Sequence, residues 1–354
     1  MAEKNLRVLN IQAKIPFVEN KKPNMDRITS LLSQCSRTNQ WANRGPLYHA
    51  LMNGYETHVN VSEDLAITPC ANGGIGLEAI AKFLEIKFTK PIRWVASSFS
   101  FSNLGRGYFY DTMFVDCTSE GMLSLDALSA LDDEAYDGII VTNPFGVWDK
   151  FDDYIDFARK SGKYMIIDNA AGLREHLPEW SYQSFSLHHT KPYGAGEGGM
   201  ILTPKSEAES VYNLLNYVPL SDEEKKKWIN NGKVSDIACA FQIDRLEQID
   251  DWMPKYQEQT ERITKLATEI GLQPLFSFAK NVPATSLPFI SETPILLEKI
   301  EQMTSFTAAK YYLPLSKTPN CVDIYSRLIN IPSHPDVAEL SDEQWKDDML
   351  KSIN

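Results

Sequence analysis

The sequence of 354 residues lacks the features of several large protein classes. Its five cysteines are an odd number and form no C-x-x-C pair, so we predict neither a disulfide framework nor a metal site. No apolar run reaches the roughly eighteen residues of a membrane helix. The charged start, residues 1–8, is unlike a signal peptide. We therefore expect no membrane partner and a cytoplasmic location.

Positive charge is also scarce. The chain has 35 Lys and Arg residues against 47 Asp and Glu residues, and its net charge is −12. Such a charge opposes the long-range attraction on which nucleic-acid binding depends, so we expect no nucleic-acid partner. Any anionic ligand must then be held by local groups. The hydrophobic content of 43% suffices for a sizeable core, and the length favours two domains.

Short apolar runs alternate with helix-like segments between about residues 62 and 205. Continuous runs of this kind are typical of strands buried on both faces. The runs lie at 66–71, 92–96, 113–116, 138–142, 164–168, 183–188 and 199–203, with helices predicted at 74–87 and 151–162. The pattern predicts an α/β fold with a mostly parallel seven-stranded sheet flanked by helices.

The pattern changes after Asp222 to an amphipathic stretch that continues to about Ile270. A region punctuated by prolines follows it. We expect residues 1–234 to form a large ligand-binding domain. Residues 235–354 are expected to form a smaller mixed α+β domain that includes a long connecting helix.

Polar residues that directly follow the predicted strands are the first candidates for a site. Residues 70–77 are glycine-rich and open a helix, where backbone N–H groups and the helix dipole favour a phosphate. Residues 74–79 also match the G-x-G-x-x-A turn of dinucleotide-binding proteins. That turn is normally followed about 20 residues later by an acid for the ribose, and here the next strand ends in Ser97 and Ser98. A phosphate site, a dinucleotide site and a plain tight turn all remain open.

Two further strand ends carry ionisable groups. Asp168 could cap a helix, join an ion pair, or bind the pyridinium nitrogen of pyridoxal phosphate. Lys191 precedes a glycine-rich segment; a lone lysine is ordinarily a surface charge, but a desolvated amine has a lowered pKa and acts as a nucleophile. His188 and His189 are adjacent and cannot easily chelate one metal together, so we assign them supporting roles. Phe101 could pack in the core or stack on a flat cofactor.

Taken in order, these motifs resemble the DegT/StrS family of pyridoxal-phosphate-dependent sugar aminotransferases, which have the aspartate aminotransferase fold (fold type I). The most specific part is S-L-H-H-T-K at 186–191 with G-A-G-E-G-G at 194–199. It is similar to the family's S-F-H-P-T-K and G-x-G-E-G-G. Further family motifs are matched in order at 72–77, 97–101, 167–171, 231–236 and 331–335.

The resemblance implies a role for each candidate residue. Lys191 would form the Schiff base with pyridoxal phosphate and serve as general acid and base, and Asp168 would bind the pyridine nitrogen. The other implied cofactor-binding residues are Phe101 and Ala170 at the ring, Ser186 and the N–H groups of Gly74 and Ile75 at the phosphate, and Asn231 from the neighbouring subunit. A homodimer with shared active sites follows from the last of these.

The reaction implied by the resemblance transfers an amino group from L-glutamate, through pyridoxamine phosphate, to a nucleotide-linked keto-sugar. The product would be an amino sugar for glycan or O-antigen synthesis in lipopolysaccharide. Family frequency favours the 4-position of a 6-deoxy sugar, with the 3-position as the alternative. Lys191 favours transamination, because a dehydratase branch of the family has histidine there. An NAD-dependent sugar oxidoreductase and a non-catalytic cofactor-binding regulator are the rival hypotheses.

Two residues depart from the family pattern. Gly74 replaces a Thr or Ser, which removes a hydroxyl from the phosphate site. Ala171 replaces the Gln or His that normally hydrogen-bonds the phenolic oxygen of the cofactor. That second contact must come from another residue or be absent.

Overall fold

The structure is a computed structural model, and it describes residues 14–353. The first part of the chain alternates strands and helices. In chain order it contains α1 (Met25–Thr38), α2 (Pro46–His58), β1 (Leu65–Cys70), α3 (Gly73–Phe88), β2 (Trp94–Ser97), β3 (Met113–Val115), α4 (Leu125–Ser129), β4 (Gly138–Thr142), α5 (Asp152–Ser161), β5 (Tyr164–Asp168), β6 (Gln183–Ser186) and β7 (Gly199–Pro204).

The second part is mainly helical. It contains α6 (Ala208–Asn213), α7 (Asp222–Lys227), α8 (Asp236–Glu247), α9 (Ile249–Glu269), β8 (Gln273–Pro274), β9 (Ser286–Ile290), α10 (Leu297–Glu301), α11 (Pro319–Arg327), β10 (Leu328–Pro332) and α12 (Asp342–Ile353). Within the described residues, no helix has both the length and the apolar character needed to cross a membrane.

The large sheet has seven strands in the order β1-β7-β6-β5-β4-β2-β3. Strands β3, β2, β4, β5 and β6 pair in parallel, while β7 runs antiparallel to both β1 and β6. Side chains on both faces are buried: Ile139 and Val141 of β4 face one apolar cluster, and Ile140 faces another. The mostly parallel seven-stranded sheet predicted from the continuous apolar runs is therefore confirmed.

A smaller antiparallel sheet, in the order β10-β9-β8, lies in the C-terminal part of the chain. Leu287 and Phe289 of β9 and Trp345 of α12 belong to the same apolar cluster as Val95 of the large sheet. The two sheets are thus joined through a continuous core. This arrangement confirms the mixed α+β character expected for the C-terminal region.

The long amphipathic stretch forms two helices, α8 and α9, which meet at Gln248 (φ −90°, ψ 12°). The indole Nε1 of Trp252 donates to the carbonyl of Arg245 at 2.9 Å and so satisfies an acceptor at the end of α8. Cys239 of α8 packs in a cluster with residues of α1 and α2, whereas Ile263 of α9 packs against the smaller sheet. The proposed boundary at residue 234 stays a prediction.

Candidate functional site

A cavity of about 630 Å³ lies beyond the carboxyl ends of β4, β5 and β6. Thr142, Asp168 and Ser186 end those strands and line it. The opposite walls come from the N-terminal Phe17 and from the C-terminal Tyr312. The cavity thus lies between the large sheet and the C-terminal region, at the edge where proteins with open parallel sheets bind their ligands.

The structure brings most of the predicted site residues together. Those that line the cavity are Gly74, Phe101, Asp168, Ala170, Ser186 and Lys191. Ile75 lies next to it, but its N–H donates to Oδ1 of Asn72 at 2.9 Å as part of the cap of α3. Asn231 is exposed and outside the cavity of its own chain.

Asp168 is buried at the end of β5. Burial raises the pKa of its carboxyl to about 6, and this shift is opposed by the backbone N–H of Ala170 and by the charge of Lys191. Thr142 is the register partner of Asp168 on β4, and its buried hydroxyl has no hydrogen-bond partner among the described residues. A cation placed against Asp168 would favour the ionised carboxylate and so reverse much of the burial effect.

Lys191 lies in a turn that follows β6. Its N–H donates to the His188 carbonyl at 2.8 Å, and its carbonyl accepts from the N–H of Gly194 at 2.9 Å. A Cβ on Gly194 would lie 2.0 Å from the His188 oxygen, so the turn requires glycine at this position. Burial lowers the pKa of the Lys191 amine, and Asp168 partly opposes that effect. The amine is therefore easier to deprotonate than an exposed lysine.

The N-terminus of α3 closes one end of the cavity. Strand β7 passes so near it that a Cβ on Gly199 would lie 2.4 Å from the backbone carbon of Asn72. A Cβ on Gly74 would meet only Oδ1 of Asn72, at 3.3 Å. The missing side chain at Gly74 is therefore not dictated by severe crowding. The start of α3 brings backbone N–H groups to this end of the cavity, beside Ser186.

Aromatic rings form the opposite wall. Tyr312 stacks on Phe145 with ring centroids 5.2 Å apart and lies edge-on to Phe101 at 6.1 Å. Burial and the nearby charge of Asp168 both raise the pKa of the Tyr312 hydroxyl. Sequence reasoning missed Tyr312 and Phe145, because neither belongs to the strand-end motifs that directed attention to the other residues.

Ala171 lines the cavity without a polar side chain. The nearby amide of Asn143 is already used: it donates to the Trp148 carbonyl at 3.2 Å and to Oδ1 of Asn169 at 2.8 Å. Thr142 and Tyr312, which carry hydroxyls, also line the cavity.

The walls fit a flat, phosphate-bearing cationic ring. One end offers backbone N–H groups, the floor offers a buried carboxylate, and the side offers a lysine amine with a lowered pKa. The Thr142 hydroxyl, which has no partner in residues 14–353, also leaves hydrogen-bonding capacity within the site. These are the contacts that pyridoxal phosphate requires.

Comparison with known proteins gives three kinds of likeness. The DegT/DnrJ/EryC1/StrS aminotransferase family model matches residues 24–294. Protein Rv3402c of Mycobacterium tuberculosis is 23% identical over 297 residues, which cover 78% of this chain and 70% of that protein.

Solved structures that share the fold include the following two. One is a putative PLP-dependent aminotransferase from Bacillus cereus, 19% identical, with a TM-score of 0.79 over 96% of this chain and 99% of the other. The second is DesI, analysed in the presence of its TDP-sugar product, 16% identical, with a TM-score of 0.78 over 93% and 90% of the chains. At these identities the structural likeness establishes the fold.

Proposed function

Since the chain belongs to the DegT/DnrJ/EryC1/StrS aminotransferase family, we propose that it moves an amino group from L-glutamate to a nucleotide-linked keto-sugar. The observation that carries the proposal is that Lys191 and the buried Asp168 line one cavity at the carboxyl end of the sheet. Pyridoxal phosphate, when bound, supplies an electron sink for the carbanion that forms at the donor carbon.

Lys191 is proposed to hold the cofactor covalently and to move the proton. Its lowered pKa raises the fraction of uncharged amine, which is the form that acts as nucleophile and base. Asp168 would pair with the cationic ring nitrogen. A buried carboxylate without a partner is costly, so this pairing would reduce the cost of burying both charges.

The remaining cofactor contacts follow from position. Ser186 and the backbone N–H groups at Gly74 would hold the phosphate, while Phe101 and Ala170 would pack against the ring. The N–H of Ile75 is proposed to support the phosphate site indirectly, because it donates to the Asn72 side chain that caps the start of α3. Asn231 is proposed to complete the phosphate site of a partner subunit, and its exposure outside its own cavity supports a homodimer with shared sites.

The acceptor is proposed to be a 4-keto-6-deoxyhexose attached to a nucleotide, with the 3-keto isomer as the alternative. The TDP-sugar product of DesI supports a nucleotide-linked sugar. The exposed Phe101 and Tyr311 rings at the cavity mouth supply apolar surface for a sugar or base. The product would be an amino sugar for glycan or O-antigen synthesis in the cytoplasm.

The test combines labelling with turnover. Borohydride treatment of the holoprotein should fix the cofactor on Lys191, and glutamate should release 2-oxoglutarate. A panel of nucleotide keto-sugars should then yield one aminated product, identified by its mass and by the position of its amine. Lys191→Ala should abolish turnover, while the exposed control Lys22→Ala should retain it.

Two results would contradict the proposal. Native-rate turnover by Lys191→Ala would remove the residue from its assigned role. Cofactor binding without release of 2-oxoglutarate would instead support a non-catalytic regulator.

A further inference from the structure

The turn that carries Lys191 is held by side chains from other parts of the chain. Gln242 of α8 donates to the carbonyls of Leu187 and Ala195, both at 2.8 Å. Arg245 of α8 donates to the Pro192 carbonyl at 2.9 Å, and Thr285 donates to the Thr190 carbonyl at 2.5 Å. The backbone of the turn is thus fixed by contacts that lie far from it in sequence.

Lys21 binds three carbonyls of the turn, one of which belongs to Lys191 itself. Its ammonium donates to the His189 carbonyl at 2.8 Å, to the Gly194 carbonyl at 2.5 Å, and to the carbonyl of Lys191 itself. An ammonium has three N–H donors and no acceptor, so its capacity matches these three oxygens. Lys21 therefore acts on the backbone that sets the direction of the Lys191 side chain.

The position of Lys21 is itself fixed by the N-terminal segment. The neighbouring Glu19 forms a buried ion pair with Arg245 at 2.7 Å and accepts from the Tyr256 hydroxyl at 3.0 Å. Burial, and then Arg245, lower the pKa of Lys21 to about 7, while Glu19 opposes the shift. Burial, and then the charge of Lys21, lower the pKa of the His189 imidazole. The three carbonyl oxygens favour the charged form of Lys21.

The same segment also borders the cavity. Phe17 and Val18 line it, and the carbonyl of Pro16 is hydrogen-bonded to Nε2 of His334 at 2.9 Å. The segment is therefore anchored both to the C-terminal region and to the turn. Lys21 is the point at which this anchored segment contacts the backbone of Lys191.

We propose that Lys21 is a positioning residue whose ammonium orients the Lys191 turn for reaction with the cofactor. The inference rests on the proposed role of Lys191. A displacement of about 1 Å from the reactive geometry can lower a rate by roughly 100-fold. A small shift of the turn after loss of the three Lys21 contacts would therefore be enough to slow the reaction.

Three variants test it. Lys21→Met keeps the length of the side chain and removes every donor, Lys21→Gln retains two donors, and Lys22→Met is the exposed control. Measurements are made below pH 7, where the Lys21 amine is charged. The first readout is amide hydrogen exchange of residues 187–198 in protein without cofactor. The second is the rate at which added pyridoxal phosphate is fixed on Lys191 by borohydride, with kcat and KM for glutamate as the third.

Lys21→Met should speed exchange in the turn by about tenfold, because the lost hydrogen bonds open it more often. Labelling of Lys191 and kcat should fall by about 10- to 100-fold with KM within about twofold, and Lys21→Gln should lie between Met and wild type. Lys22→Met should match wild type. If Lys21→Met does not fold, the same comparison between Lys21→Gln and Lys22→Met decides.

The inference is overturned if wild type is labelled on Lys191 and the Lys21 variants match Lys22→Met in all three measurements. These are the amide exchange of residues 187–198, the labelling of Lys191, and the kcat. If wild type takes no label on Lys191, the proposed function fails and this inference fails with it. The two failures are thus distinguishable from the wild-type arm alone.

Discussion

A hydroxyl added at position 74 should tighten the binding of pyridoxal phosphate. Gly74 is the second residue of α3, and a Cβ there meets only Oδ1 of Asn72, at 3.3 Å, so Gly74→Ser requires an adjustment of a few tenths of an ångström. Serine also suits a helix better than glycine, by about 0.5 kcal/mol. A charge-assisted hydrogen bond to phosphate contributes about 1.5 to 3 kcal/mol.

The two contributions are separated by Gly74→Ala, which adds the same Cβ without the hydroxyl. Because the contact of the Cβ with Asn72 is common to both variants, we expect the dissociation constant of the Ser variant to lie about tenfold below that of the Ala variant, which corresponds to about 1.4 kcal/mol. The thermal unfolding temperature of the cofactor-free protein should rise by a similar small amount in both variants. The dissociation constant is measured by titrating the cofactor-free protein with pyridoxal phosphate, in the absence of borohydride, and following the absorbance.

Equal affinity in the Ser and Ala variants would refute the reasoning, because it would mean that the residue 74 side chain does not face the phosphate. Weaker binding by both variants than by the wild type would instead show that the contact of the added Cβ with Asn72 cannot relax.

Two further predictions concern the cavity floor and the lysine turn. The pKa of Asp168 is raised from 3.8 to about 6 in the cofactor-free protein, so the native state holds its proton more tightly than the unfolded state. The stabilisation from this group is present below about pH 4 and is lost as the pH rises through 6, which changes the free energy of unfolding by roughly 3 kcal/mol. Urea unfolding at a series of pH values should detect this change, and Asp168→Asn should remove it. An unchanged pH profile in Asp168→Asn would contradict the shift. Gly194→Ala should lower the free energy of unfolding by about 2 kcal/mol or more and prevent labelling of Lys191, because its Cβ would lie 2.0 Å from the His188 oxygen. Wild-type labelling and stability in that variant would show that the turn can adopt another conformation.

Much of the large sheet could be predicted from local patterns. Strands β4 and β5 match the predicted runs at both ends, because a strand buried on both faces gives an unbroken apolar run. The sixth run was extended two residues too far: β6 ends at Ser186, and Leu187 is tied instead to Gly198 and to Gln242. Such a contact between distant residues leaves no local signal.

The family resemblance is confirmed by the match over residues 24–294, and with it the aminotransferase class and its cofactor. Asp168 and Lys191 could be found because the first ends a strand, the second follows one, and each carries a charge in an apolar context. Tyr312 and Lys21 could not, because their importance depends on tertiary contacts with Phe145 and with the lysine turn. The site roles themselves stay predictions.

The placement of β7 has a consequence for the order of events during synthesis. Strand β1 lies at the edge of the sheet, where it pairs with β7. Strand β1, which leads into α3, therefore cannot join the sheet until residues 199–204 have left the ribosome and inserted between β1 and β6. Non-local pairing of this kind is slow and is completed late. A nascent chain that already contains Lys191 would thus still lack part of the wall at the proposed phosphate site, and the cofactor should be acquired only after β7 has closed the sheet.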